Sequence, residues 1–410
     1  MNSFRRPKGT EDILPPESQV WRDAHRVFDD MCERFGYGLT LTPMFEDTEV
    51  FTRGVGGDTE VVQKQMYSFE DKSGRPITLR PEATASVVRA AIQAGGVPTR
   101  FKGSYWGPMF RYERPQKGRN RQFYQAGIEY LGSDSAEADV EVIEFGYRYL
   151  AAMGVSDIEV RVNSIGDPAD RKEYEEALIA FLESRREELS PDAQKRITTN
   201  PMRILDSKAD AAIVIGAPIP LDFIGAAAAE HFAAVRAGLD TVGIPYVVDH
   251  TMVRGLDYYN RTVWEYVPTS YEAAQSSVGG GGRYDGLFEV LGGKPTPGVG
   301  LAMGVDRILL ASTTAVPEVL LDAFVVAASD DYRSVARTLT SQLREAGWRA
   351  DMTDRARPIK AQFKDADRTR AAAAIVVGAE WEAGSVTVKR LATGEQELIA
   401  VKEIDTWLRA

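Results

Sequence analysis

Cysteine is almost absent from this sequence of 410 residues, and Cys32 is its single example. One thiol cannot form an intrachain disulfide, and it cannot build a metal cluster that needs several thiolates. Cys32 falls on the apolar stripe of a predicted helix, together with residues such as Phe28 and Phe35. We therefore expect Cys32 to pack in a buried helix face and not to act as a nucleophile.

Histidine is nearly as scarce, because His25, His231 and His250 are the three in the sequence. They lie far apart, and none belongs to an HExxH pair. A zinc site or a Ser-His-Asp triad needs histidine in a defined pattern. The spacing argues against both, and we expect no metal ion held by protein side chains.

Long apolar runs and a secretory signal are missing as well. No apolar stretch approaches the ~20 residues of a membrane-spanning helix. The N-terminal sequence MNSFRRPKGTEDILPPE contains arginines but no apolar centre. The composition, 44% hydrophobic and 27% charged, is that of a globular protein. We expect the protein to be cytoplasmic.

Positive charge is in deficit overall, since the formal net charge is -11. This argues against nonspecific coating of nucleic acid, although a local basic patch can still bind it. One short loop does concentrate positive charge. Within GPMFRYERPQKGRNRQFYQAGIEYLG it contains Arg111, Arg114, Lys117, Arg119 and Arg121, with Glu113 as the one acid among them.

This basic loop allows two interpretations. Arginine on a rigid strand, as expected for Arg111, suits bidentate contact with a phosphate group. Arginines in a loop suit a flexible phosphate tail or a nucleic-acid backbone. The alternative is a solvated turn whose charges serve solubility, and the loop alone leaves both open.

The strand after the loop, RQFYQAGIEY, has polar residues on one face. With a period of two, Gln125, Gly127 and Glu129 share that face. Gln125 and Glu129 are about 13 Å apart along a strand, so they could hold two ends of a small polar ligand. A glycine between them indicates close approach to the backbone. A solvent-facing strand with a bulge at Gly127 is the alternative.

Three glycine-containing segments follow later in the chain. In RGLDYYNRTVWEY we expect a strand on which Tyr258 and Tyr259 face opposite ways, one in the core and one on a ligand; aromatic packing beside a surface Arg254 is the alternative. SVGGGGRYDGL and GVGLAMG match neither the Walker nor the dinucleotide pattern. We interpret both as strands whose glycines admit a flat ligand. Arg307, just beyond, either is solvated or closes a nucleotide site.

The length of 410 residues predicts two or three domains. Residues 1–163 and 249–317 are strand-like and glycine-rich. Residues 164–248 are helical, alanine-rich and charged, as in an inserted helical domain. Residues 321–410 alternate strands and helices, which predicts a small α/β domain with a largely parallel sheet.

Together these segments resemble the class II aminoacyl-tRNA synthetases and, among them, the histidyl-tRNA synthetase family. The motifs fall in that family's order: KGTEDILPPE, TLRPEATA, GPMFRYERPQKGRNRQFYQ, NPMRILDSK, VRGLDYYNRTVWEY, GGGGRYDGL and GVGLAMGVDRILL. The resemblance implies an α+β catalytic domain with an antiparallel sheet flanked by helices. It also implies a helical insertion, a C-terminal anticodon-binding α/β domain, and a homodimer formed through the motif around Pro43.

The activity implied by the resemblance joins L-histidine to ATP, with Mg²⁺ bound through ATP and no prosthetic group. Histidyl-adenylate forms with release of pyrophosphate, and histidine then passes to the 3' end of tRNA(His). Among the implied histidine-binding residues, Glu82, Thr84 and Gln125 hold the amino group, while Glu129 and Tyr259 contact the imidazole. The full implied set is Glu82, Ala83, Thr84, Arg111, Gln125, Glu129, Arg254, Tyr258 and Tyr259.

The resemblance also implies how ATP is held. Arg111 would bind the α-phosphate, Glu113 would lie near the adenine amino group, and Arg119 and Arg307 would bind the β- and γ-phosphates. Arg254 would lie opposite Arg111 and stabilise charge that develops at the α-phosphorus, so these two arginines are the implied catalytic residues. The remaining loop charges, Arg114 and Lys117, would meet the acceptor end of tRNA.

Two residues depart from the family pattern: Ala83 stands where glycine is usual, and Tyr124 where histidine is frequent. Two alternatives stay open. A non-catalytic histidine-sensing paralogue, like the regulatory subunit of ATP phosphoribosyltransferase, shares the catalytic fold, and a synthetase for threonine, proline or glycine shares the C-terminal domain. For that domain, a basic helix favours contact with RNA over a purely stabilising role. Its basic residues are Arg355, Arg357, Lys360, Lys364, Arg368 and Arg370, set against Asp354, Asp365 and Asp367.

Overall fold

A computed structural model of the chain describes residues 4–57, 59–97, 99–205, 207, 209–252, 256–269 and 277–410. The chain forms two compact units, Met1–Thr314 and Ala315–Ala410. Each unit has hydrophobic cores of its own.

The helices of the first unit are α1 (Ser18–Phe35), α2 (Thr48–Gly54), α3 (Thr84–Gln93), α4 (Ala136–Ala152), α5 (Pro168–Glu183), α6 (Pro191–Arg196), α7 (Met202–Leu205), α8 (Ala211–Val214), α9 (Ala226–Thr241), α10 (Leu287–Val290) and α11 (Val305–Ala311). Its strands are β1 (Gly38–Leu39), β2 (Phe45–Asp47), β3 (Tyr67–Glu70), β4 (Pro76–Leu79), β5 (Phe101–Phe110), β6 (Gln122–Leu131), β7 (Ile158–Ser164), β8 (Tyr246–Val248), β9 (Asn260–Pro268), β10 (Gly279–Arg283) and β11 (Gly298–Gly304).

A large mixed sheet organises the first unit, with its strands in the order β1-β5-β6-β11-β10-β9-β7-β8. The pairs from β5 to β7 across the sheet are antiparallel, as predicted. The outermost pairs, β1 with β5 and β7 with β8, are parallel. The sheet is therefore antiparallel at its centre and parallel at both edges.

A second, three-stranded sheet has the order β2-β4-β3. The segment GLTLTPMFE is divided between the two sheets, because β1 ends at Leu39 and β2 begins at Phe45. Pro43 lies between them. Proline lacks the N–H that a continuous strand needs, so the chain leaves one sheet before it and enters the other after it.

Helices α1, α4 and α9 cover one face of the large sheet. Phe28 of α1 packs edge-on against Phe145 and Tyr149 of α4, and all three side chains are buried with Trp264 of β9. Cys32 is 4% exposed in the same core, and burial raises the pKa of its thiol to about 12. The predicted burial of Cys32 in a helix face is confirmed.

Within the predicted insertion, residues 164–248, two environments occur. Helices α5 to α8 share a small core that includes Tyr174, Leu178 and Ile204. By contrast, β8 pairs with β7 at the edge of the large sheet, and Val235 of α9 belongs to the core beneath that sheet.

The second unit contains β12 (Leu321–Ala327), α12 (Arg333–Glu345), β13 (Ala350–Met352), α13 (Ile359–Arg368), β14 (Ala371–Val377), β15 (Ser385–Arg390), β16 (Gln396–Ala400) and α14 (Ile404–Arg409). Its sheet has the order β13-β12-β14-β15-β16, with β12, β13 and β14 parallel. Alternate residues of β12 face two cores: Val325 lies with α12 and α14, and Phe324 lies with α13. The predicted alternation of strands and helices is confirmed from β12 to β14. Strands β14, β15 and β16 pair antiparallel, so the sheet is mixed and not largely parallel as predicted.

Candidate active site

A cavity of about 1060 Å³ lies in the first unit along the large sheet. Most of the residues that the sequence singled out line it: Glu82, Thr84, Arg111, Glu113, Arg119, Gln125, Tyr258, Tyr259 and Arg307. Glu129 and Ala83 are fully buried next to these residues and do not form its surface. Arg254 lies outside the described residues.

Strand β6 positions the two polar side chains as predicted. Tyr124, Ala126 and Ile128 face the core under the sheet, so the alternate residues Gln125 and Glu129 face away from it. The pairing with β5 and β11 is regular along this stretch, so the bulge considered for Gly127 is absent there.

Glycines flank both polar residues on the neighbouring strands. Gly103 and Gly300 lie directly opposite Glu129 on β5 and β11. Gly107 and Gly304 lie opposite Gln125 in the same way. Directly opposite residues share a face of a sheet, so no neighbouring Cβ stands directly beside either polar side chain. Gly300 and Gly304 line the cavity, and the Glu129 carboxylate extends over Gly300.

The glycine within β6 has a different reason. A Cβ on Gly127 would lie 2.3 Å from the phenol oxygen of Tyr105 and 2.6 Å from the carbonyl oxygen of Leu301. Close approach at Gly127 was predicted, and the structure places the Tyr105 ring there. Tyr105 is 4% exposed and lies directly opposite Gly127 on β5.

Glu129 is held by hydroxyl groups from distant parts of the chain. Its Oε1 accepts a 2.6 Å hydrogen bond from Thr84 Oγ1, and its Oε2 accepts a short one from the Tyr284 hydroxyl. Burial raises the pKa of Glu129 to about 8, with a further rise from the charge of Glu82, although these hydrogen bonds oppose it. Glu129 is therefore poised to change charge close to neutral pH.

Gln125 offers an unused acceptor. Its side chain is 8% exposed, and its amide oxygen is buried with no hydrogen-bond donor among the described residues. Such a group costs free energy unless something donates to it. Because Gln125 lines the cavity, a donor on a bound molecule would satisfy it.

The start of α3 places Glu82 and Thr84 at the cavity. The Glu82 carboxylate accepts hydrogen bonds from the backbone N–H groups of Thr84 at 2.7 Å and Ala85 at 2.9 Å. These bonds satisfy donors that the first turn of a helix leaves open. Burial nevertheless raises the pKa of Glu82. Ala83 has a φ of -109°, so alanine in place of glycine imposes no strained backbone here.

Three arginines gather at one end of the cavity. Arg111 immediately follows β5 and donates from Nε to the Pro81 carbonyl oxygen at 2.9 Å. Arg307 in α11 donates to the carbonyl oxygens of Gly118 at 3.1 Å and Ser277 at 3.0 Å. Burial, and then the charges of Arg307 and Arg111, lower the pKa of Arg119.

The basic loop is anchored at both of its sides. Arg119 forms a short ion pair with Glu113. Arg121 lies over the Tyr112 ring at 3.7 Å, and its backbone N–H donates to the Gly9 carbonyl oxygen at 2.7 Å. Arg114 and Lys117 are exposed. The loop thus separates inward arginines from outward charges.

The prediction that Tyr258 and Tyr259 lie on a strand is wrong. Strand β9 begins at Asn260, and the two tyrosines lie in the turn before it. Their ring centroids are 4.6 Å apart, and Tyr258 also contacts Tyr284 edge-on at 5.6 Å. A turn does not alternate sides as a strand does, so both rings line the cavity.

Tyr284 and Tyr105 were not predicted as site residues. Tyr284 follows the glycine run of β10, and this run was noted for admitting a flat ligand. A Cβ on Gly282 would lie 2.6 Å from the Tyr259 ring, so at this position the close neighbour is an aromatic side chain. A tyrosine two positions after a run of four strand glycines was the available signal.

No helix in the described part of the chain has both the length and the apolar character needed to cross a bilayer. No group of three or more His, Cys, Asp or Glu side chains among the same residues is arranged to hold a metal ion.

Comparisons with known proteins give a consistent result along the chain. A family model described as histidyl-tRNA synthetase matches residues 9–308, and one described as an anticodon binding domain matches residues 322–410. A histidine–tRNA ligase of Lactiplantibacillus plantarum is 43% identical over 98% of this chain and 97% of its own length. Histidine–tRNA ligase 1 of Shouchella clausii is 41% identical over 99% and 98%.

Among solved structures, apo histidyl-tRNA synthetase of S. aureus is similar with a TM-score of 0.81 and 37% identity, and the match covers 100% of both chains. Similarity of fold and similarity of sequence therefore extend over the same length.

Proposed function

Because this chain belongs to the histidyl-tRNA synthetase family, we infer that it is a histidine–tRNA ligase. The enzyme joins L-histidine to the α-phosphate of ATP, which releases pyrophosphate and gives histidyl-adenylate. It then transfers the histidyl group to the 3' end of tRNA(His), which releases AMP. Both steps form and break acyl or phosphoryl bonds without any redox change.

One observation carries this proposal: a single cavity joins an end suited to an amino acid with an end suited to phosphates. Gln125 and Glu129 lie on the same face of β6, about 13 Å apart along the strand. Strands β5 and β11 both end on the side of Gln125. The three cavity arginines come after these strand ends in the chain, and they are Arg111, Arg119 and Arg307. An aminoacyl-adenylate, with a side chain at one end and a phosphate at the other, matches this order.

At the amino-acid end we assign the ammonium group to Glu82, Thr84 and Gln125, because the family resemblance gives them this role and all three line the cavity. We assign the imidazole to Glu129 and Tyr259. A carboxylate has about four lone-pair sites, and Thr84 and Tyr284 occupy two of them in the free protein. Glu129 can therefore accept an imidazole N–H once the covering side chains make room.

At the phosphate end, Arg111 is fixed by Pro81 and stacks near Phe123 at 5.3 Å, so it is preorganised for the α-phosphate. Arg119 and Arg307 would bind the β- and γ-phosphates. Three neighbouring cations repel one another, and a polyanion relieves that repulsion. Arg119 would then leave Glu113 free to accept from the adenine amino group. Arg254, which lies outside the described residues, stays our second catalytic assignment.

We propose that Mg²⁺ enters the site bound to the phosphates of ATP. Mg²⁺ binds one or two carboxylates together with substrate phosphates and keeps several waters. Glu60 and Glu113 line the cavity near the arginines, and the charge of Glu60 acts on Arg119. Because Glu113 is assigned to the adenine amino group, Glu60 is the carboxylate that would hold the ion beside the phosphates. When bound, the ion would neutralise charge on the phosphates, while the protein supplies the arginines that orient them.

We further propose that two copies associate through the segment around Pro43. Leu41 and Phe45 are 80% and 55% exposed, and Leu39 and Met44 beside them are also exposed. Exposed apolar residues that form a contiguous group indicate an interaction surface. Light scattering should give the mass of two chains for the wild type, and Leu41→Asp should give one. A single-chain mass for the wild type would refute this.

The remaining assignments concern the second unit and the location of the protein. We propose that residues 321–410 bind the anticodon of tRNA(His) and that the enzyme works in the cytoplasm. In α13, Asp365 pairs with Arg357 and Arg368, whereas Lys360 and Lys364 are exposed on one face. Lysines at this spacing suit an RNA backbone.

The predicted domain boundaries, with the helical insertion at residues 164–248, stay part of the proposal.

ATP–pyrophosphate exchange without tRNA tests the function, with each of the twenty amino acids in turn. We expect exchange with histidine alone, and collapse of the exchange in Arg254→Ala while histidine still binds. Retained histidine binding with no exchange for any amino acid would instead indicate the histidine-sensing paralogue. Exchange with threonine, proline or glycine would indicate the other alternative.

A further inference from the structure

Arg171 connects the helical insertion to the turn that carries two tyrosines of the cavity. It lies in the first turn of α5, and its guanidinium donates to the carbonyl oxygen of Asp257 at 3.4 Å. It also donates a short hydrogen bond to the carbonyl oxygen of Tyr259. These two carbonyls lie on either side of Tyr258 in the chain, so one side chain holds both ends of the turn.

The Arg171 side chain is costly to place where it is. Its Nε is buried and has no acceptor among the described residues. Burial lowers the pKa of Arg171, while the charges of Glu175 and Asp257 act in the opposite direction. A half-buried guanidinium that donates to two main-chain carbonyls fixes a backbone, since a fully exposed charge would be better solvated.

A second connection lies next to the first. Arg261 donates to both carboxylate oxygens of Asp167, at 2.8 Å and 3.1 Å. The backbones also pair, from Ile165 N to Arg261 O at 2.9 Å and from Arg261 N to Gly166 O at 2.8 Å. The segment before α5 is therefore held against Arg261, next to the turn, and brings Arg171 into reach of it.

The opposite side of the turn is held by the end of α2. The Asp257 N–H donates to the Val55 carbonyl oxygen at 3.2 Å. Gly56 has a φ of +100°, and a Cβ there would lie 2.5 Å from Asp257 Oδ2. The turn is thus enclosed between α2 and α5, and its position determines where the Tyr258 and Tyr259 rings stand in the cavity wall.

We propose that Arg171 is a positioning residue for histidine binding, through which the insertion fixes the tyrosine turn of the amino-acid end. This rests on the proposed function, because it assumes that Tyr259 contacts the imidazole. Arg171 does not line the cavity and touches no reacting atom. Its effect should fall on histidine and spare ATP, since the arginines of the phosphate end are held by other contacts.

Three variants test this in ATP–pyrophosphate exchange, with rates normalised to active sites by titration. Arg171→Met should raise the histidine KM roughly 10- to 100-fold, as expected for losing two hydrogen bonds from a charged donor. The KM for ATP should stay within about twofold. Arg171→Lys keeps the charge but cannot donate two hydrogen bonds from a planar group. Its histidine KM should therefore lie between those of the wild type and Arg171→Met.

The matched control is Arg186→Met, which removes an exposed arginine of the same insertion that pairs with Glu183. It should leave both KM values at the wild-type level. Equal effects of Arg171→Met and Arg186→Met would overturn the proposal. So would a loss of active sites with unchanged KM, or parallel rises for histidine and ATP, because either indicates a general role in folding.

Failure of the proposed function gives a different result. In that case the wild type itself shows no histidine-dependent exchange. Direct calorimetric titration of histidine into the wild type, Arg171→Lys and Arg186→Met then decides the role of Arg171, with weaker binding expected for Arg171→Lys alone. Arg171→Lys also serves as the test if Arg171→Met does not fold, and unchanged affinity in it would refute the proposal.

Discussion

A Cβ atom on Gly300 would lie 1.7 Å from Oε2 of Glu129. The two residues are directly opposite each other on β11 and β6. The Glu129 carboxylate therefore extends sideways over the neighbouring strand and occupies the space that a side chain at 300 would need. No adjustment of a few tenths of an ångström removes such an overlap, so the buried carboxylate requires glycine at this position.

Gly300→Ala should consequently weaken histidine binding. The new methyl group displaces Glu129, and a misplacement of about 1 Å in a site can cost about 10²-fold in activity. We expect that loss in kcat/KM for histidine, measured by pyrophosphate exchange. Gly286→Ala is the control, because a Cβ at Gly286 meets nothing within 4 Å. Equal kinetics for the two variants would show that Glu129 is not needed where it stands.

Histidine binding should depend on pH through Glu129. Its pKa is raised to about 8, mainly by burial, so the carboxyl is largely protonated below that pH and a carboxylate above it. Only the carboxylate accepts an imidazole N–H with both oxygens. The histidine KM should therefore fall as pH rises from 6.5 to 8.5, by up to about tenfold per unit below the pKa.

Glu129→Gln provides the comparison for this pH profile. The amide has a similar shape and does not titrate, so we expect a higher histidine KM that no longer changes between these pH values. ATP KM measured at each pH removes effects common to both substrates. A variant that keeps the wild-type slope would assign the titration to another group.

Arg119 should matter for ATP and not for histidine. It lies among the cavity arginines. Removing one donor that stabilises a developing anion typically lowers kcat by about 10²- to 10³-fold. We expect Arg119→Ala to lower kcat/KM for ATP by that order. Arg75→Ala, which removes an exposed arginine paired with Asp71 in a surface turn, should have no effect. A purely histidine-dependent defect would contradict the assignment.

Gly9 should influence the same loop from outside the cavity. Its φ is +82°, and a Cβ there would lie 2.8 Å from Cγ of Arg121. Arg121 in turn donates to the Glu113 carbonyl oxygen at 3.1 Å. We expect Gly9→Ala to raise the KM for ATP by about tenfold through displacement of the loop.

Gly74→Ala separates this effect from backbone strain. Gly74 has a φ of +75°, and a Cβ there meets nothing within 4 Å, so alanine imposes strain of a similar kind without the contact. We expect both variants to lose a similar amount of thermal stability. The KM for ATP should change in Gly9→Ala alone. A shared change in KM would attribute the effect to strain alone.

Features that depend on a local pattern could be predicted from the sequence. The two faces of β6 follow from its period of two, and the alternation of the second unit follows from element lengths. The burial of Glu129 could not be predicted, because it depends on Thr84 and Tyr284, which lie 45 and 155 residues away. The same holds for Arg171, whose acceptors are 86 and 88 residues distant.

Other differences come from alternatives that local sequence does not resolve. Tyr258 and Tyr259 have strand propensity, yet their backbone is fixed as a turn by Val55 and Arg171. The alanine-rich α9 has the composition of an independent helical domain, but Gly238 allows it to pack closely on Val140 of α4. Tertiary contacts decided both cases.

The buried pair of Asp139 and Arg283 should be a main determinant of stability in the first unit. Both side chains are 0% exposed, and Arg283 also donates to the carbonyl oxygens of Ser133 at 2.9 Å and Ser135 at 3.0 Å. Burial alone would raise the pKa of Asp139, but His231 and Arg283 outweigh it and the net pKa is lowered. Its contribution is therefore present above the ordinary aspartate pKa and is lost as pH falls through the lowered one.

Asp139→Asn leaves the Arg283 charge without its fully buried counterion, and breaking a buried ion pair typically destabilises a protein by about 3–5 kcal/mol. Glu144→Gln on the same helix, α4, removes an i,i+4 pair with Arg148 and should cost only about 0.3–0.5 kcal/mol. Urea denaturation at pH 7, followed by the fluorescence of the buried Trp264 and its neighbours, compares the two variants. If Asp139→Asn costs no more than Glu144→Gln, the other acceptors of Arg283, including Asp285 at 3.1 Å, suffice to balance its charge.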